Sequence, residues 1–279
     1  MGCENVCIQM LHLLLFFVLN SVFFEHVNGE REWDYFVFSQ EWPPTYCSTH
    51  TCKLPYKFDD FNIHGLWPSI WPYGIPTNCS NKTPFELENI KPIYGELQKQ
   101  WANLNDFDNP EDFWEHEWSK HGVCAASDDS FILNELDYFN VSLGIKLKMN
   151  LMSRFDSIKI KPNNLVTLKR DVVLNQLRSS FGVNVLMVCS FQNDKPAKLS
   201  EIRLCLNPSL EFIDCPISGN KNDYQQFSNS FYHQNIYHNP VCKSSLPWLY
   251  QSPICYNQSS ILLFYNAPCS EELIFPDFN

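Results

Sequence analysis

Residues 113–124 read FWEHEWSKHGVC. Two histidines, a glutamate and a lysine fall within six residues (116–121), set between aromatic anchors and a cysteine. The preceding residues predict a helix here. Asn109 suits the N-cap, Pro110 the first helical position, and Glu111 and Asp112 the positive end of the helix dipole. Gly122 marks the expected stop. With His116 as origin and about 100° per residue, Lys120 falls near 40°, Glu117 near 100° and His121 near 140°, one polar arc of roughly 140°. Phe113 lies inside that arc, while Trp114 and Trp118 fall at its edge and beyond, where they can face a core. A helix with such a stripe needs a second layer to pack on. The partner lies upstream at residues 61–69, FNIHGLWPS, a short strand over 61–66 that carries His64 and is halted at Trp67-Pro68.

Further outward, WDYFVF at 33–38 is a second aromatic, β-branched strand, ended by Glu41-Trp42-Pro43-Pro44. Residues 68–84 read as a loop, and 93–101 as a helix with Ile93, Leu97 and Trp101 at four-residue steps. Residues 129–150 and 166–181 give two more helices; 183–190, 201–206 and 210–215 give strands. Residues 216–279 are rich in Asn, Gln, Ser and Pro and show little period. The mixture is an α+β fold, an antiparallel or mixed central sheet with several helices. A single domain spans 30–279, with an irregular C-terminal extension from about 243.

The chain has 279 residues, 44% hydrophobic and 15% aromatic, enough for a sizeable core. Residues 1–29 read as a signal peptide: Leu11–Phe24 is nearly all apolar, yet too short to span a bilayer comfortably. Removing it takes Cys3 and Cys7 from the twelve cysteines. The remaining even set, behind such a leader, predicts disulfides in an oxidising compartment. Sequons at Asn78, Asn81, Asn140 and Asn257 agree with secretion into the extracellular space. A net charge of −11 excludes a protein that coats nucleic acid through a broad basic face, but leaves room for a small cationic cleft gripping one phosphate.

Cutting RNA through its own 2′-hydroxyl requires a base, an acid for the departing 5′-oxygen, and positive charge beside the phosphorus. His64 and His121, from different elements, can flank the phosphate; Lys120 supplies charge and Glu117 a hydrogen bond. The zinc pattern HExxH needs histidines four apart, and His116 and His121 are five apart, so no metal is expected.

Together the two segments resemble the active-site segments of the ribonuclease T₂ family, and the resemblance runs from about Trp33 to Cys242, through WPPTYC and LSEIRLCLN. It implies a catalytic set of His64, Glu117, Lys120 and His121, with His121 as base and His64 as acid in the first step and the roles reversed when the 2′,3′-cyclic phosphate is hydrolysed. It implies phosphate binding by His116, a base stacked on Trp67, a second base site lined by Phe113, and no cofactor. It implies the disulfides Cys47–Cys52, Cys79–Cys124, Cys205–Cys215 and Cys189–Cys242, leaving Cys255 and Cys269 to pair. The expected partners are single-stranded RNA and a host glycan receptor. The expected protein is a monomeric secreted effector, immunomodulatory or cytotoxic, that meets endosomes or lysosomes after uptake. Two departures stand out. Ser69 follows HGLWP where some members carry Asp. Glu41 precedes Trp42 where Gln or Thr is usual; this carboxylate either alters base choice or lies outside the site. The alternative is a secreted glycoprotein acting through receptor or lectin binding, for which all four catalytic residues would be unnecessary.

Overall fold

Strand β1 (Tyr35–Glu41) sits inside the sheet because both of its faces are apolar in alternation. Phe36 and Phe38 point into the main core, and Tyr35 and Val37 into a smaller cluster with Trp67 and Cys205 on the other face. β1 pairs antiparallel with β2 (Asn62–Ser69) on one side and with the long strand β5 (Ala197–Leu206) on the other. The computed structural model describes residues 32–71, 74–76, 79, 83–127, 131–191, 196–216, 241–242, 255–256 and 269–278. These fall in the unit Glu32–Asn279. The expected signal peptide and the sequons at Asn78, Asn81 and Asn257 lie outside the described residues.

The remaining strands are β3 (Thr167–Lys169), β4 (Leu186–Ser190), β5 (Ala197–Leu206), β6 (Phe212–Ile213), β7 (Val241–Cys242), β8 (Cys255–Tyr256) and β9 (Glu272–Ile274). The main sheet runs β2-β1-β5-β9-β3, with β4 and β6 also paired to β5, and β7 pairs with β8 apart from it. Because β9 runs parallel to β5 while β1 and β4 run antiparallel to it, the sheet is mixed and the fold is α+β. Helices Tyr94–Gln100, Glu111–Glu117 and Glu135–Met149 cover one face, where Trp101, Trp114, Trp118, Tyr138 and Phe139 are fully buried against Phe36, Phe38 and Ile63. Their indole N–H groups find acceptors: Trp114 donates to Trp101 O (2.8 Å) and Trp118 to Thr83 O (2.9 Å). Among the described residues no helix is long and apolar enough to cross a membrane.

Several expectations are corrected. β1 runs on to Glu41 rather than ending at Phe38. Pro110, not Asn109, holds the N-cap position, and the Asn109 amide donates to Asp106 instead. The helix does not stop at Gly122; a π-helical turn, Trp118–Gly122, carries it into Val123–Ala125. A Cβ on Gly122 would lie 2.2 Å from the Trp118 ring, so this glycine serves close packing and not termination. Helix 129–150 narrows to Glu135–Met149, capped by the Asn134 side chain, which accepts from the Asp137 N–H. Asn140 is exposed on this helix, while Ser142 of its sequon is buried and donates to Tyr138 O.

The described residues hold the disulfides Cys47–Cys52, Cys79–Cys124, Cys205–Cys215 and Cys189–Cys269. The fourth replaces both expected pairs, Cys189–Cys242 and Cys255–Cys269. Its cause is β9: residues assigned to an irregular tail enter the sheet beside β5, which carries Cys269 to the end of β4 where Cys189 sits. Three residues of strand are too few to leave a period in the sequence.

Candidate active site

His64 owes its position to a fault in the ladder. Ser39 pairs with Gly65 and Gln40 with Ile63, which leaves His64 as the extra residue of a bulge. Ile63 and Leu66 can then both enter the core while His64 is turned out of it. The carbonyl of His64 accepts the Trp101 indole N–H at 3.1 Å. A second irregularity, between Val188 and Cys189, leaves Ser200 without a partner on β4 next to Glu201, its carbonyl accepting instead from the Trp42 N–H at 2.7 Å.

Glu201 holds the imidazole from behind. Its Oε1 lies 3.1 Å from His64 Nδ1, and its Oε2 accepts from Ser39 (2.8 Å) and from Arg203 Nε (2.8 Å). A carboxylate so placed only accepts, so Nδ1 carries the hydrogen, and Nε2 makes no hydrogen bond to the described residues. Arg203 is 1% exposed and lies 5.1 Å above the Trp67 ring.

Both imidazoles lie against Trp67, with ring centroids 5.0 Å from His64 and 5.6 Å from His121. It is 7% exposed, which limits the surface left for a stacked base. Its indole N–H donates to Glu117 Oε2 at 3.0 Å. This close approach depends on Gly65, where a Cβ would stand 2.1 Å from Trp67 Nε1 and 2.2 Å from Glu117 Oε2. Phe113 lines the other side of His64, its ring 6.4 Å away.

Lys120 and His121 lie in the π turn. That wider turn takes in an extra residue, so His121 swings back toward the His116 side of the helix instead of continuing at 100° per step. Lys120 and His116 are exposed, His121 half-buried and Glu117 buried. The structure thus brings His64, Trp67, Phe113, Glu117 and His121 together through contacts with one another, with the exposed His116 and Lys120 on the same helical segment as Glu117 and His121. Ser69 is fully buried and donates to Trp67 O, away from the cleft. Glu201 and Arg203 were not legible as site residues; LSEIRLCLN reads as an ordinary strand.

The electrostatics separate the two histidines. Burial opposes charge on His64, but the Glu201 carboxylate and its hydrogen bond, with Glu41 and Glu117, outweigh it and raise the group to about 9. Burial, then His116, His64 and Lys120, press His121 down to about 3. Burial raises Glu117 to about 7 against the pull of His64 and Trp67. Burial also opposes charge on Glu201, yet Arg203 and His64 hold it well below the usual carboxylate range. His116 is lowered by burial, Lys120 and His64. Across the neutral range one imidazole is therefore charged and the other neutral in the same cleft, the condition for paired acid and base work. Among the described residues no group of three His, Cys, Asp or Glu is arranged to hold a metal ion.

A model described as the Ribonuclease T2 family matches residues 33–215. Ribonuclease Oy of Magallana gigas is 35% identical over 189 residues, 66% of this chain and 88% of its own. Ribonuclease T2 of Danio rerio is 30% identical over 199 residues, 71% of this chain and 78% of its own. The crystal structure of human RNase T2 superposes with a TM-score of 0.57 at 30% identity, covering 66% of this chain and 90% of that one. Ribonuclease MC1 from bitter gourd seeds gives 0.57 at 27% identity, over 66% and 94%.

Proposed function

The chain belongs to the ribonuclease T2 family and is an endoribonuclease, and on that premise we propose that it is secreted and cuts single-stranded RNA by 2′-hydroxyl attack, with His121 as base and His64 as acid. The observation that carries this reading is that two imidazoles from elements distant in sequence both lie against Trp67, with Glu201 favouring the charged form of His64 and burial the neutral form of His121. Neutral His121 takes the 2′-hydroxyl proton as that oxygen bonds to phosphorus. Charged His64 gives its Nε2 proton to the 5′-oxygen as the P–O5′ bond breaks. A 2′,3′-cyclic phosphate results, and hydrolysis reverses the roles: His64, now neutral, takes a proton from water, and His121 returns one to the 2′-oxygen. Lys120 sits where negative charge collects, Glu117 hydrogen-bonds the phosphorane, and His116 holds a neighbouring phosphate.

The apolar leader, the disulfides and the sequons support export. Both histidines stay in their working states at endosomal acidity, because His64 titrates at about 9 and His121 at about 3. An effector that acts on RNA after uptake through its glycans is consistent with that range. The deciding experiment is digestion of single-stranded RNA with and without EDTA, followed by end mapping. Cyclic-phosphate ends formed in chelator are expected; intact RNA, or 5′-phosphate ends, would refute the mechanism.

The pH profile carries a sign. The alkaline limb follows loss of the His64 proton, and Glu201 is what holds that proton on. Glu201→Gln removes the charge, lowers the titration of His64, and moves the alkaline limb of kcat/KM to lower pH; an unmoved limb would show that His64 is not the acid. Gly65→Ala forces apart Glu117 and Trp67. A displacement of that size should lower kcat/KM about a hundredfold while cooperative unfolding persists. Near-native turnover would exclude the Glu117 role.

A further inference from the structure

His64 also borders a small open recess, with a cavity volume of about 70 Å³, lined by Glu41, Tyr46, Asn103, Asn105 and Phe113. His64 is the group assigned to the departing 5′-oxygen. A nucleoside seated here is therefore the one on the 3′ side of the cut.

The polar groups of the recess are unevenly committed. Asn103 Oδ1 accepts from the Asn105 and Asp106 N–H groups, and its Nδ2 donates to Asn109 O. Asn105 Nδ2 donates to the Tyr46 hydroxyl at 2.8 Å. Glu41 is 7% exposed, and its Oε1 accepts from Asn62 Nδ2 at 2.9 Å. Its Oε2 has no hydrogen-bond partner among the described residues. A carboxylate more than nine-tenths buried that lines the recess, with one oxygen free of hydrogen bonds to the described residues, calls for a ligand that brings donors. Of the four bases, guanine alone presents two adjacent donors, N1–H and the 2-amino group. Adenine and cytosine offer a donor beside an acceptor, and uracil a donor between two acceptors.

We propose that Glu41 makes this recess a reader of guanine, so that the enzyme cuts preferentially on the 5′ side of guanosine, with the base against Phe113 and its N1–H and 2-amino group on the Glu41 carboxylate. The proposal rests on the nuclease reading above and adds the substrate class. Extension of β1 through Glu41 is what puts the carboxyl there: Glu41 lies across from Asn62 on β2 and from Glu201 on β5.

The charge on Glu41 is set by its surroundings on each side. Burial raises it to about 7, opposed by His64 and Asn62 from β2, reinforced by Glu201 from β5, and lowered slightly by His50 beyond the Pro43–Tyr46 helix; the Tyr46 hydroxyl and Glu117 also face it. A neutral carboxyl both donates and accepts and loses its match to a donor pair. Guanine selectivity therefore strengthens as pH rises through that value, and a ratio of substrates cancels the pH dependence of the chemistry itself.

The test compares kcat/KM for CpG, CpA, CpC and CpU at pH 6 and pH 8, with polymeric RNA as a control, for the wild type and Glu41→Gln. CpG should lead by about tenfold or more at pH 8, the yield of one well-placed double hydrogen bond. The lead should shrink at pH 6 and vanish in Glu41→Gln. Equal cleavage of the four by the wild type, a measurement that needs no variant, overturns the proposal and leaves the nuclease reading standing. So does a guanine lead that survives Glu41→Gln. Failure to cut any dinucleotide and the polymer overturns both.

Discussion

Alanine at position 64 or 121 is expected to cut RNA turnover by about 10²- to 10⁴-fold, the usual worth of one positioned acid or base. The two variants should not fail for the same structural reason. His121 makes no hydrogen bond to the described residues, so His121→Ala leaves nothing buried unpaired. His64→Ala removes one partner of Glu201, but Arg203 and Ser39 still hold that carboxylate. Circular dichroism and denaturation should find both variants folded, while digestion of single-stranded RNA in EDTA finds both nearly inert. The effects should also be far from additive, because each histidine is useless without the other. Full cleavage by either folded variant would end the proposed mechanism.

Arg203→Met should produce the largest loss of stability. The guanidinium is 1% exposed and stands 2.6 Å from the Glu201 carboxylate through Nη2, beneath the sheet face that carries Trp67. Methionine fills similar space but leaves a buried carboxylate with only His64 and Ser39 to balance it. Removing one partner of a buried pair costs about 3 kcal/mol or more. A lower urea midpoint at unchanged slope is the expected result. The pair also gives stability a pH dependence of definite sign. His64, raised to about 9, contributes fully below its ordinary 6.5 and loses that contribution as pH rises through about 9. Glu201, depressed, contributes above its ordinary 4.5 and loses that contribution only in acid well below it. A midpoint unchanged by Arg203→Met would mean that the network does not stabilise the sheet.

The legible parts of this protein were those written locally. The four-residue steps of Ile93, Leu97 and Trp101 mark a helical stripe, and in the structure Leu97 and Trp101 are fully buried. The polar arc of His116, Glu117, Lys120 and His121 could be read from spacing, although the angles assumed a regular α-helix and the π turn altered them. Glu41 stands out in the sequence as a departure, but its place depends on how far β1 continues, which no local pattern sets. Glu201 carries no local signal: its partner His64 is 137 residues away, and nothing in LSEIRLCLN distinguishes a carboxylate facing a histidine from one facing water.

Residue order alone settled which side chains were available: the aromatic stripe, the alternating strand, the cysteines and the imidazoles, since period and composition are properties of neighbours along the chain. Folding in three dimensions settled what they became. The bulge that turns out His64, the carboxylates of β1 and β5 that meet beside it, and the β9 strand that hands Cys269 to Cys189 all come from register between strands far apart in sequence. Register is chosen by the packing of whole faces, so a shift of one residue would redirect every side chain while leaving each local pattern unchanged.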